Sequence, residues 1–148
     1  MSVGMGMRYH HVHVEEYESA HAVAVQAGLV VPLLATLTMG ATARNLTGAD
    51  IAGGPLPRSL AVGVHYRPTS SVNVYSDVYK DVAFPWSLRG GIEVWPVSMF
   101  AVRVGAARHP SRFSVGVGLE TGPVSVDMSA ERHPELGWSP AAGLSARW

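Results

Sequence analysis

The sequence predicts an all-β protein, an antiparallel up-and-down transmembrane β-barrel with about ten strands present. Three observations predict it. Apolar and polar residues alternate at period two from residue 57 to the end, as strands with differently solvated faces require. Connections fall into two classes that alternate along the chain, one short and proline-bearing, the other mostly longer and more polar. The second face of the strands is also too poor in charge for a water-facing exterior, since Lys80 is the single lysine.

Composition sets the outer bounds. A chain of 148 residues is most simply one domain, spanning 1–148. Eleven Lys and Arg balance eleven Asp and Glu, so charge provides no basis for binding nucleic acid. Charged residues make up 15% of the chain, where soluble domains carry roughly 25%. Cysteine is absent, which excludes disulfide scaffolds, thiolate zinc sites and thiol chemistry. Ala22 to Leu37 is the longest apolar candidate for a membrane helix, and Gln26, Gly28, Pro32 and Thr36 interrupt it. The opening Met1-Ser-Val-Gly-Met-Gly-Met has neither the basic nor the apolar region of a signal peptide. The expectation is therefore a cytoplasmic chain or the remainder of a longer one, and the strand pattern favours the second.

The first third predicts three strands. Met5, Met7 and Tyr9 alternate with Gly4, Gly6 and Arg8, and the phase slips near His10 and His11 as at a bulge. Val23, Val25, Ala27 and Leu29 oppose Ala22, Ala24, Gln26 and Gly28; Leu33 to Ala41 then alternate with Thr36, Thr38, Gly40 and Thr42. Seven strands follow. Leu60, Val62, Val64 and Tyr66 oppose Ser59, Ala61, Gly63, His65 and Arg67. Val72, Val74 and Val78 oppose Asn73, Tyr75 and Asp77; Trp86, Leu88, Ile92 and Val94 oppose Ser87, Arg89 and Glu93. Phe100, Val102, Val104 and Ala106 oppose Arg103 and Gly105. Phe113 to Leu119 oppose Arg112, Ser114, Gly116 and Glu120, and Val124 to Ala130 oppose Ser125, Asp127 and Glu131. The last strand sets Ala142, Leu144, Ala146 and Trp148 against Gly143, Ser145 and Arg147.

Short turns are expected at Val31-Pro32, 67–71, 95–99 and Gly122-Pro123, and longer ones at 15–19, 44–57, 80–85, 108–111 and 132–139. Up-and-down strands place alternate turns at opposite ends, so one end is trimmed and the other carries excursions, as in outer-membrane barrels. Aromatic residues gather near strand ends. Tyr66, Trp95, Phe100 and Trp148 belong to one end, and Phe84, Trp86, Phe113 and Trp138 to the other, the girdles expected at headgroup level. A soluble barrel shares the period but would carry a Lys- and Glu-rich exterior.

Certain stretches also resemble a known family. Arg44-Asn45-Leu46, Gly53-Gly54-Pro55-Leu56-Pro57-Arg58-Ser59-Leu60-Ala61-Val62-Gly63 and Tyr66-Arg67-Pro68 are similar to the PorV/PorQ group of outer-membrane barrels, within the FadL-like superfamily. Gly91 to Pro96, Ala101 to Gly105, Phe113 to Leu119, His133 to Gly137 and the terminal Trp148 continue the likeness. The resemblance implies a non-enzymatic protein of the Gram-negative bacterial outer membrane, a secretion-associated scaffold or attachment component without cofactor. It implies as partners the lipid bilayer, the outer-membrane assembly machinery and secreted cargo proteins. Family barrels have about fourteen strands, so the chain is expected to be the C-terminal part of a longer barrel. The alternatives are a FadL-like channel for hydrophobic small molecules and a soluble β-barrel ligand carrier.

No catalytic set stands out. Arg89, Glu93, Arg103, Arg112, Glu120, Asp127 and Arg147 are expected to face the lumen, with Arg89 beside Glu93, and Arg112 beside Glu120 and Asp127. Mutual pairing that plugs a narrow barrel is expected over a selective constriction. Trp148, aromatic and on the apolar face of the last strand, is expected to be the assembly signal. His10, His11, His13 and His21, with Glu15 and Glu16, form the only ligand-like cluster, read as a polar rim rather than a metal site.

Overall fold

The computed structural model describes residues 1–14, 17–51, 53–135 and 137–147, and the side chains of all of these but 13, 14, 17 and 18. Among the described residues there are twelve strands and no helix: β1 (Ser2–Val14), β2 (Tyr17–Leu34), β3 (Leu37–Arg44), β4 (Asp50–Ile51), β5 (Gly54–Pro55), β6 (Ser59–Thr69), β7 (Val72–Asp81), β8 (Ser87–Val97), β9 (Phe100–Arg108), β10 (Arg112–Thr121), β11 (Val124–His133) and β12 (Gly137–Ala146). Ten form one antiparallel sheet in the order β1-β2-β3-β6-β7-β8-β9-β10-β11-β12, and β4 and β5 pair separately. Among the described residues β1 and β12 are the outermost strands and no pairing joins them, so the sheet is not closed into a barrel. By contacts the chain forms two compact units, Met1–Gly63 with Val78–Trp86, and Val64–Asp77 with the chain from Ser87 onward.

In the first unit β1 pairs with β2 without interruption from Ser2↔Val30 to Val12↔Ala20, and the register shifts only between Val12 and Val14. The expected slip at His10 and His11 therefore lies a few residues later. Strand β2 is much longer than expected. It runs from Tyr17, inside the predicted 15–19 loop, through Val31-Pro32, and turns only at Ala35-Thr36. Pro32 lies beyond the last β1–β2 register pair, Ser2↔Val30, so its missing N–H interrupts no β1–β2 bond. On the other flank Pro32 still pairs with Thr38, and the register shifts between Pro32 and Leu34.

The predicted 44–57 loop is a built structure. Asn45 is buried with φ 51°, the left-handed region that asparagine tolerates better than most residues. Its amide donates to the carbonyls of Leu56 (2.9 Å) and Ala49 (3.3 Å) and accepts from Ala49 N–H (2.8 Å). Leu46 N–H donates to Val25 O (2.8 Å) and Thr47 Oγ1 to Val23 O (3.2 Å), so the loop continues along the flank of β2 where β3 stops.

In the second unit β8 to β12 form a regular meander. Along β8, β9 and β10 the apolar residues Leu88, Ile92, Val94, Val102, Val104, Val115, Val117 and Leu119 are exposed, while Glu93, Arg103, Gly105, Ser114 and Gly116 between them are half-buried. Among the described residues the only buried apolar side chains are Ala22, Ala24 and Ala101. Along these three strands the apolar residues are the exposed ones, and the small and charged residues between them are the sheltered ones.

Three other expectations need correction. Pro68 and Pro96 lie within the ends of β6 and β8, and the turns themselves are Ser70-Ser71 and Ser98-Met99. The register of β8 against β9 shifts between Val94 and Val97, which absorbs Pro96 as a bulge opposite fully buried Ala101. Trp95 does not join an exposed girdle: it is half-buried and turned to the Glu93 side, whereas Phe84, Trp86, Phe113 and Trp138 are exposed as expected. The 132–139 connection is tight, since His133 already pairs with Gly137.

Candidate functional site

The sheltered face of the second unit carries a chain of polar contacts that crosses the sheet. Glu93 on β8 and Arg103 on β9 are direct cross-strand partners, and Arg103 Nε donates to Glu93 Oε2 at 2.6 Å. Glu93 Oε1 accepts from Asn73 Nδ2 and Trp95 Nε1, each at 2.9 Å. With its amide nitrogen so engaged, Asn73 offers Oδ1 to His65 Nε2 at 2.9 Å, which places the imidazole proton on Nε2. The His65 ring stacks on Tyr75, with centroids 4.6 Å apart and planes within 11°.

Arg103 also reaches the other way. Its Nη1 donates to Asp127 Oδ1 on β11, a strand separated from β9 by the whole of β10. The link is sterically open because the residue beneath is Gly118, the register partner of both Ala101 and Asp127. A Cβ on Gly118 would lie 2.8 Å from Asp127 Oδ1 and 2.9 Å from Arg103 Nη1. Glycine is thus required there by a close approach of side chains rather than by its backbone angles.

The predicted charged set is only partly assembled. Glu93, Arg103 and Asp127 meet, with Arg103 as the hub. Glu93 pairs with Arg103, not with Arg89, which lies four residues along β8, about 13 Å away. Arg112 pairs with Glu131 (3.2 Å), not with Glu120 or Asp127, because Ser114 is the register partner of Glu131 and Glu120 lies at the far end of β10. Glu120 is exposed beside the turn, its N–H donating to Met99 O (2.8 Å), and Arg147 is exposed beyond β12, its N–H donating to Pro123 O (2.8 Å). Neither belongs to the cluster. Trp148, Glu15 and Glu16 lie outside the described residues, and the side chain of His13 lies outside the described side chains.

Sequence reasoning missed Asn73, Trp95, His65 and Glu131 as members. Each sat on the polar face by parity, so the signal was present. Register was the missing coordinate, because parity gives the face of a residue but not its level along the neighbouring strand.

Tyr75, Glu93, Arg103, Ser114, Asp127 and Glu131 line an open cleft of about 810 Å³ over this face. Arg103 meets two carboxylates, so that set keeps one net negative charge, while the Arg112–Glu131 pair is balanced. Both Arg103 contacts go to carboxylates, and Glu93 is saturated by three donors, so neither is poised as an acid or base. Among the described residues there is no group of three or more His, Cys, Asp or Glu placed to hold a metal ion. Among the described residues no helix is long and apolar enough to cross a membrane, which leaves strands unaddressed. No protein-family model matches the chain, and neither does any curated protein.

Proposed function

We propose that this sheet is the wall of a bacterial outer-membrane β-barrel. In this reading the protein is a non-enzymatic, secretion-associated scaffold or attachment component of the PorV/PorQ kind. The observation that carries the reading is the inversion of the strands. Val, Leu, Ile and Met side chains stand exposed in continuous rows on one face, while the ion pairs occupy the sheltered one. In water such rows would be an aggregation hazard, and in hydrocarbon they are the expected surface. The unpaired edges of β1 and β12 must find main-chain partners in a bilayer, either in each other or in further strands.

The alternative is a channel for hydrophobic molecules; the cleft has apolar residues such as Ile92, Val115 and Met128 in its lining, but the Glu93–Arg103–Asp127 contacts cross it. A soluble carrier would need its apolar rows turned inward. The partner-facing element is the 45–58 loop, in which Asn45 ties Ala49 to Leu56. Trp148 is proposed as the residue read by the assembly machinery.

The test is reconstitution. The chain folded into lipid vesicles should be protected from protease along its strands and cut in the 45–58 loop. Brominated acyl chains should quench its tryptophan fluorescence, through exposed Trp86 and Trp138. A chain that stays monomeric and folded in buffer without detergent, with no quenching, refutes the membrane reading. Steady single-channel conductance would shift the assignment from scaffold to channel.

A further inference from the structure

On the exposed face of β1 and β2, His11 and His21 are direct register partners, and their Nδ1 atoms face each other at 3.0 Å. The two rings stack with centroids 4.6 Å apart. Tyr9 Oη, from the same face of β1, also lies within hydrogen-bonding reach of His21 Nδ1. Two polar atoms therefore converge on a single ring nitrogen, which has one lone pair or one proton to give. Ordinary hydrogen bonding leaves one of the two contacts poorly satisfied, whereas a cation among the three atoms uses all of them.

We propose that His11 and His21 chelate a divalent late transition-metal ion, Cu²⁺ in preference to Zn²⁺, with the Tyr9 oxygen as third donor. The spacing selects the geometry. With metal–nitrogen bonds of about 2.0–2.1 Å, a tetrahedral site sets its nitrogens about 3.3–3.4 Å apart and a tetragonal site sets them about 2.8–3.0 Å apart. The observed 3.0 Å matches the tetragonal bite. Two imidazoles and an oxygen, with open positions for water, suit Cu²⁺, which also heads the affinity order of divalent ions. His10 takes no part, because successive residues of a strand point to opposite faces. The site stands apart from the membrane reading and can fail without it.

The experiment titrates CuCl₂ into the untagged full chain, folded in detergent micelles, and follows the ligand-field absorbance and electron paramagnetic resonance. One Cu²⁺ per chain is expected, with hyperfine splitting from two imidazole nitrogens. His11→Asn and His21→Asn should each weaken binding by more than the roughly 10- to 100-fold typical of second-shell losses. Tyr9→Phe should remove the phenolate-to-copper charge-transfer band, and His109→Asn should change nothing. The β-sheet circular dichroism of each sample separates lost binding from lost fold. A readout free of variants is the imidazole ¹⁵N spectrum of the parent chain, in which His11 and His21 should broaden first as copper is added. Broadening that begins at other histidines overturns the proposal, as does equal affinity in the His11→Asn/His21→Asn double variant or tighter binding of Zn²⁺ than of Cu²⁺.

Discussion

Val104 offers the sharpest test of what the apolar face meets. It is the fifth of nine residues in β9, 43% exposed, and flanked in register by Ile92 and Val115. At about 3.3 Å per residue it stands about 13 Å from either end of its strand. A strand tilted by about 40° then places it near the centre of an apolar band about 25 Å tall. Val104→Arg puts a guanidinium at that depth. If the face meets hydrocarbon, the substitution costs about 2–4 kcal/mol, a roughly 30- to 1000-fold shift in the folding equilibrium. If the face meets water, an exposed substitution of this kind stays within about 0.5 kcal/mol. Phe113→Arg supplies the internal control. Phe113 is equally exposed but is the second residue of β10, near the headgroup level, where an arginine costs about 0–1 kcal/mol. Urea titration of each variant in lipid vesicles, read by tryptophan fluorescence, measures the differences. The reasoning is refuted if Val104→Arg is neutral, or no worse than Phe113→Arg.

Three further outcomes follow from the polar contacts. Arg103→Met strands Glu93 and Asp127; because Asp127 is half-exposed and screened by solvent, the expected loss is about 1–2 kcal/mol. Part of it should return in Arg103→Met/Glu93→Gln, measured as a double-mutant cycle by urea titration. Gly118→Val drives a side chain into the Arg103–Asp127 contact and should destabilise by about 1–3 kcal/mol, but by clearly less when Arg103 is already Met. Asn45→Ala removes four hydrogen bonds that hold the 45–58 loop, and should raise its cleavage rate in limited proteolysis while the strands stay resistant. Asn45→Gly keeps the left-handed backbone but not the bonds and should be cut nearly as fast.

The alternation of Val102, Val104, Val115 and Val117 with Arg103, Ser114 and Gly116 was legible because one face is apolar over the whole of each strand. Strand limits were less so. Val31-Pro32 carries the strongest turn signal in the first third and yet lies inside β2. Proline costs a sheet only where its missing N–H faces a partner, and the register that takes Pro32 past the last β1–β2 pair, Ser2↔Val30, cannot be read from Val31-Pro32 itself. Ala35-Thr36, the actual turn, has no glycine, proline or asparagine to announce it. The site followed the same division. Glu93, Arg103 and Asp127 could be picked by residue type and face. Their pairing could not, since it depends on which level of β8, β9 and β11 coincides, and on Gly118 being bare enough to let two of them meet.

Gly118 gives that contact a role in assembly. Sliding β10 by one position brings Val117 or Leu119 to its place and turns a bulky side chain toward the guanidinium. Arg103 and Asp127 can then no longer join, although main-chain pairing on either side could still form. The ionic bridge rewards only the correct offset of a strand that contributes no charge to it, and so proofreads the meander as it zips.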